Sequence, residues 1–316
     1  MASSLYMTTP PERTESVPSR LSVTDLLLLC MAVVWGLNFI VVKFATGIFA
    51  PLAFNSARIL LAVVVLWAIF LARRLPLPSR RDIFVMLLLG MFGNGLYQIL
   101  WVEGLARTRA SDAALLVAAS PAFIEIIGWV RGHERAGLRG LSGIALSLVG
   151  IGLVVTGASS GATGQSTLPG TALILGSVLC WSFYSVFLKP LTERVDGLTL
   201  SAVTMTGGIV PMLIVAAPSL VATRWGAVPT VGWAAVAYSG LLALVVAYTF
   251  WYRGVRVLGP TRASMYSNLQ PLVAMLAAWA LLGETPRAMQ LLGAFFIVGG
   301  LLLTRLPVDQ AIVAHE

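Results

Sequence analysis

Ten apolar segments in succession, at about residues 22–42, 51–71, 83–103, 110–130, 139–157, 169–188, 199–220, 231–252, 261–282 and 287–305, constrain this chain more than any other feature. Each approaches the roughly 20 residues with which an α-helix crosses a hydrocarbon layer about 30 Å thick. No water is present in lipid to satisfy backbone N–H and C=O groups, so segments of this length must be helices that bond themselves. The expected fold is an all-α integral membrane protein with ten transmembrane helices. Composition agrees: 58% of residues are apolar and 11% charged, where a soluble domain carries about 25% charged residues. A soluble enzyme is excluded. The two cysteines, Cys30 and Cys180, lie inside apolar runs, and His133 and His315 stand apart, so neither a disulfide framework nor a metal site is expected.

Residues 1–21 are rich in Ser, Thr and Pro and lack the basic start and apolar core of a signal peptide, so they read as a disordered tail. Residues 306–316 form a second tail. The net charge is +8, and its distribution explains it. With the N-terminus inside, 15 Lys and Arg fall on the cytoplasmic side, including Arg73, Arg74, Arg80, Arg81, Arg131, Arg135 and Arg139. Five (Lys43, Arg107, Arg109, Arg224 and Arg287) fall outside, and Arg58 lies within a span. Such a bias places both termini in the cytoplasm. The basic balance reports topology, and no nucleic-acid partner is expected.

The chain repeats itself. A shift of 150 residues aligns Trp101 with Trp251, Gly104 with Gly254, Pro121 with Pro271, Glu134 with Glu284, Gly143 with Gly293 and Gly150 with Gly300. A shift of 146 aligns Trp35 with Trp181 and Lys43 with Lys189. The reading is a five-helix unit at 22–157, a linker at 158–168 and a second unit at 169–305. Five is odd, so a first copy that starts inside is followed by a copy that starts outside. The two are then inverted repeats, an architecture of secondary transporters.

The segments WGLNFIVVK at 35–43, PLAFNSAR at 51–58, SPAFIEIIGWVRGHER at 120–135, LSGIALSLVGIGLV at 141–154, NLQPLVAMLAAWALLGETP at 268–286 and LLGAFFIVGGLLL at 291–303 resemble the drug/metabolite transporter superfamily, and within it the EamA-type exporters. The resemblance covers residues 25–305. It implies two five-helix halves around a central cavity and export of small metabolites such as amino acids, with the bacterial inner membrane as the address. Glu125 departs from it, because the family's position there is apolar or small.

Within the third segment Asn94, Tyr97, Gln98 and Trp101 recur at i, i+3, i+4 and i+7, which is one helix face. Lipid would penalise that stripe, so it faces protein or water. Trp35 and Asn38 in helix 1, Trp181 and Tyr184 in helix 6, Tyr248 and Trp251 in helix 8, and Tyr266 and Gln270 in helix 9 complete the substrate-binding candidates. Interhelical glue and interfacial aromatic belts are the competing reading. Arg58 stands seven residues after Pro51, about 10 Å into the layer, either tying helix 2 to its neighbours or contacting substrate. Glu125 lies some 22 Å from the outer boundary, so the two charges are too far apart to pair directly. An ionisable group at that depth marks a coupling or charge-selecting site, or else snorkels toward Arg131. Glu134 and Glu284 read as first-turn carboxylates of helices 5 and 10, with Thr285 and Pro286 as cap and first residue. The functional expectation is an exporter of amino acids or related zwitterions that works by alternating access, with small-molecule substrate and lipid as partners and no cofactor. An exporter of organic cations drawn by Glu125, and a non-transporting receptor or scaffold, are the alternatives.

Overall fold

The computed structural model describes residues 22–130, 138–159 and 166–305, and every regular element among them is helical. The helices are α1 (Val23–Ala45), α2 (Pro51–Ala72), α3 (Arg80–Gly90), α4 (Tyr97–Ala106), α5 (Ala110–Val117), α6 (Ser120–Val130), α7 (Leu138–Ser159), α8 (Leu168–Thr192), α9 (Gly197–Ala222), α10 (Thr230–Ala237), α11 (Ala247–Ser267), α12 (Leu269–Leu282) and α13 (Ala288–Arg305). π-helical turns, Met91–Leu96 and Tyr238–Val246, join α3 to α4 and α10 to α11. Among the described residues seven helical stretches are long and apolar enough to cross a bilayer: Val23–Ala45, Pro51–Ala72, Arg80–Ala106, Ala110–Val130, Leu168–Thr192, Gly197–Ala222 and Thr230–Leu258. Shorter apolar helices, Leu141–Gly157, Leu269–Leu282 and Ala288–Gly300, occupy the fifth, ninth and tenth apolar segments. The chain is an all-helical membrane protein.

Local chemistry sets the helix ends. Ser22 and Asp25 exchange side-chain-to-backbone hydrogen bonds in a capping box at the start of α1. Asp196 accepts the Leu198 and Thr199 N–H groups at the start of α9, and Pro51 opens α2 where its missing N–H costs nothing. The break between α5 and α6 follows from Pro121, which has no N–H for the Val117 carbonyl four residues back. The Ser120 hydroxyl donates to that carbonyl instead, at 2.5 Å. Pro271 stands in the same relation to the turn at Asn268 between α11 and α12.

Two expectations are corrected. The eighth apolar segment does not give way to a loop near residue 252, since α11 continues through Arg253 and Arg256 to Ser267. Charged residues end the apolar stretch without ending the helix, because arginine is a good helix former. Nor does Glu284 serve the first turn of the last helix. The Gly283 backbone at φ 66° terminates α12, α13 begins only at Ala288, and the Glu284 carboxylate bonds the start of α5. Arg131, His133, Glu134, Arg135, His315, most of the 158–168 linker and both tails lie outside the described residues.

Packing between the two halves is paired. α1 lies on α11 and α4 on α8; α1 lies on α12 and α6 on α8; the π turn at Met91–Leu96 lies on α9 and the turn at Tyr238–Val246 on α2. α2 packs on α9, α5 on α12 and α7 on α13. Apart from α5 on α12, each contact becomes another in the set when the halves are exchanged, or maps onto itself. The α7–α13 seam is close enough that a Cβ on Gly150 would stand 2.7 Å from the Gly293 carbonyl oxygen, and one on Gly293 2.8 Å from that of Gly150. Small residues permit such approach in membranes.

Candidate functional site

α1, α2, α4, α5, α6, α8, the second π turn, α11 and α12 surround a cavity of ≈ 70 Å³. Five aromatic rings form much of its wall. Trp35 meets Trp181, Tyr248 and Trp251 at centroid distances of 6.0, 5.4 and 6.0 Å, and Tyr97 meets Trp181 at 5.4 Å. The Trp35 indole N–H donates to the Ala243 carbonyl at 2.9 Å, a carbonyl of the π-helical stretch. Three of these rings come from the second half and two from the first.

Arg58 is the one charged residue among the described residues lining this cavity, and it is 1% exposed. Its Nε donates to Asn55 Oδ1 at 2.7 Å, one amino nitrogen to Ser239 Oγ at 3.0 Å and the other to Gln98 Oε1 at 2.6 Å. Ser239 in turn donates to Asn38 Oδ1. The guanidinium lies over the Trp101 ring, 5.0 Å from its centroid. Every partner is neutral. A Cβ at residue 240 would stand 2.9 Å from the Arg58 carbonyl, so Gly240 lets the π turn, and Ser239 with it, approach α2. Trp101 Nε1 and Asn268 Oδ1, both on lining residues, have no hydrogen-bond partner among the described residues.

Of the sequence candidates, Trp35, Asn38, Arg58, Tyr97, Gln98, Trp101, Trp181, Tyr248, Trp251 and Gln270 line the cavity. Four do not. Asn94 is buried in the π turn against α9, where a Cβ on Gly208 would stand 2.6 Å from the Asn94 Cβ. Tyr184 is buried with its hydroxyl 2.6 Å from that of Tyr252. The Tyr266 hydroxyl donates to Asp25 Oδ1 at 2.5 Å, near the start of α1. Glu125 is half-buried on α6, where its neighbour Ile124 faces the cavity. Sequence reasoning missed Ser239, Asn55 and Asn268; the position of Asn268 at the head of the helix-breaking N-L-Q-P stretch is the signal that would have found it.

A second polar cluster holds the first turn of α5, the helix whose Ala114 and Val117 line the cavity. The Glu284 carboxylate accepts the Ala110 N–H at 2.9 Å, the Ser111 N–H at 3.1 Å and the Ser111 hydroxyl at 2.6 Å, with Arg109 Nε 3.6 Å away. Gln290 Nε2 donates to Ser111 Oγ at 2.9 Å and Asp112 Oδ1 at 2.6 Å, and the Ser166 hydroxyl donates to Asp112 Oδ2 at 2.7 Å. Beside it, Lys43 Nζ donates to the carbonyls of Leu105, Ala106 and Thr108, at 3.1, 3.0 and 2.6 Å, where α4 ends. Apart from Arg109 Nε, which meets Glu284 by charge alone, these groups find hydrogen-bond partners within the protein, so the cluster is a fastening.

An apolar, aromatic-walled cavity with one fixed charge and neutral polar groups suits reversible binding of a small molecule. Similarity to known proteins points the same way. The chain is 28% identical over 284 residues to a transporter of Archaeoglobus fulgidus, covering 90% of this chain and 97% of that one. It is 28% identical over 284 residues to the Escherichia coli inner membrane transporter YedA, covering 88% and 89%, and 25% identical over 281 residues to the Bacillus subtilis transporter YyaM, covering 88% and 92%. A solved crystal structure shares the fold with a TM-score of 0.61 at 19% identity, over 90% of this chain and 96% of that one. The EamA-like transporter family matches twice, at residues 22–156 and 168–306, and the chain belongs to that family.

Proposed function

We propose that this chain exports small polar metabolites, of the amino-acid or related zwitterion class, across a bacterial inner membrane by alternating access. The observation that carries the reading is that both family-matched halves wall one cavity: Asn38, Arg58, Gln98 and Trp101 from the first, Trp181, Trp251 and Gln270 from the second. The paired packing of the halves supports ten spans arranged as two inverted five-helix repeats, 22–157 and 169–305, with both termini cytoplasmic. Such a pair of equivalent halves can exchange inward-open and outward-open shapes around a shared site without a cofactor. Zwitterions are favoured over organic cations because the charge in the cavity wall is Arg58, whereas Glu125 lies off that wall. The test is flux. Purified protein in lipid vesicles is expected to give saturable counterflow of at least one labelled amino acid above protein-free vesicles, with protease protection of the tails reporting orientation and therefore direction. No counterflow across the full set of amino acids would refute the substrate class.

A further inference from the structure

We propose that the cavity selects its substrate through an oxyanion, in the first instance a carboxylate, and that Arg58 is the residue that sets this selection. This rests on the transporter reading above and narrows it, since an ammonium group on the substrate then becomes dispensable while a carboxylate does not. A guanidinium has five N–H donors. Three are engaged by Asn55, Ser239 and Gln98, which leaves one on each amino nitrogen, enough for the two oxygens of one carboxylate. No ion pair among the described residues involves Arg58. A buried cation held only by neutral partners has given up water without meeting an anion, and an incoming carboxylate supplies the missing charge.

The neighbouring groups lean the same way. The side-chain oxygens of Gln98 and Asn38 each accept one hydrogen bond, from Arg58 and Ser239, which turns the oxygens toward those donors and leaves the amide NH₂ groups able to donate. Trp101 adds an indole N–H without a partner beside the guanidinium. Asn268, also on the wall, offers an Oδ1 acceptor without a partner among the described residues, and the Trp and Tyr faces tolerate either an ammonium or an apolar body. The oxyanion is therefore met by a charge and specific donors, and the rest of the wall is permissive. A substrate that is only a cation would meet Arg58 with like charge.

The test uses tryptophan fluorescence of the purified full chain, since Trp35, Trp101, Trp181 and Trp251 line the site. The probes are alanine, leucine and phenylalanine, each compared with its des-amino acid (propionate, 4-methylpentanoate, 3-phenylpropionate) and with its amide. At least one acid is expected to bind roughly tenfold or more tightly than its amide, the gain ordinary for a hydrogen bond to a charged group, and its des-amino acid is expected to keep most of that preference. Arg58→Gln should erase the acid-over-amide ratio and Arg58→Lys should retain part of it, with thermal unfolding in detergent checking that each variant is folded. No acid outbinding its amide in the unaltered protein, or a folded Arg58→Gln that keeps the ratio, would overturn the assignment. Acids that bind without vesicle flux would instead refute transport and leave the site standing; flux of an amide without its acid would do the reverse.

Discussion

Replacing Glu284 tests whether the fastening at the start of α5 holds the bundle together. Its carboxylate takes two backbone N–H groups and a hydroxyl, all buried, with Arg109 alongside. Glu284→Ala removes every acceptor and leaves Arg109 close only to the Thr285 carbonyl, at 2.7 Å, and to the Asp112 side. Breaking a buried charged pair in this way costs about 3–5 kcal/mol. Glu284→Gln keeps one oxygen but sets an NH₂ against an N–H or hydroxyl of Ser111; losing one bond to a charged group, together with the favourable placement of a carboxylate at the N-terminus of α5, costs about 2–4 kcal/mol. Ser111→Ala removes only the hydroxyl's bond to the carboxylate, about 1.5–3 kcal/mol, and leaves both N–H bonds in place. Thermal unfolding in detergent should rank the variants Ala, Gln, Ser111→Ala from most to least destabilised, at about 2–4 °C per kcal/mol. The double variant Glu284→Gln with Ser111→Ala should lose less than the sum, by about 0.5–3 kcal/mol of coupling. Equal melting temperatures for Glu284→Ala and the unaltered protein, or strict additivity, would refute the reasoning.

Three further outcomes are expected. A reporter active only outside the cytoplasm should be silent when fused after residue 316 or before residue 1, and activity at either end would break the inverted-repeat reading. Cysteines at Trp35, Tyr97, Gln98, Trp101, Trp181 and Tyr248 should label with a water-soluble thiol reagent while the protein turns over, whereas cysteines at Asn94 and Tyr184, which lie away from the cavity, should stay unlabelled; the reverse pattern would displace the site. Glu125→Gln should leave substrate affinity unchanged because Ile124, not Glu125, faces the cavity, and loss of affinity would restore the organic-cation reading; loss of pH-driven flux at unchanged affinity would mark Glu125 as a coupling group.

The long helical spans and most of the polar and aromatic side chains on the cavity wall were legible in sequence because lipid enforces one periodicity over long stretches. Tyr97, Gln98 and Trp101 share a face in an ordinary helix, and they share the cavity. Asn94 looked like part of the same stripe but sits in a π turn, where i→i+5 bonding widens the turn and rotates the preceding residues off that face. Nothing in hydropathy marks such a turn. Glu125 failed on a finer scale, since one residue along a helix is about 100° around it, so its depth could be estimated while its facing could not. Tyr266 was displaced by the unforeseen length of α11, which carries it to Asp25. Glu284 was beyond local reasoning altogether, because its partners lie more than 170 positions earlier in the chain.

The repeat that aligns Lys43 with Lys189 also shows where the halves part company. Lys43 finds three carbonyls because α4 ends at Ala106 and leaves them without N–H partners. The positions equivalent to Leu105, Ala106 and Thr108 under the 150-residue shift are Val255, Arg256 and Leu258, and these lie inside α11, which runs on to Ser267. Their carbonyls sit within a continuing helix, and Lys189 is exposed, its ammonium bonded to no carbonyl among the described residues. Two halves with matching sequence features thus hold different shapes at matching places, one helix ended and capped, the other unbroken.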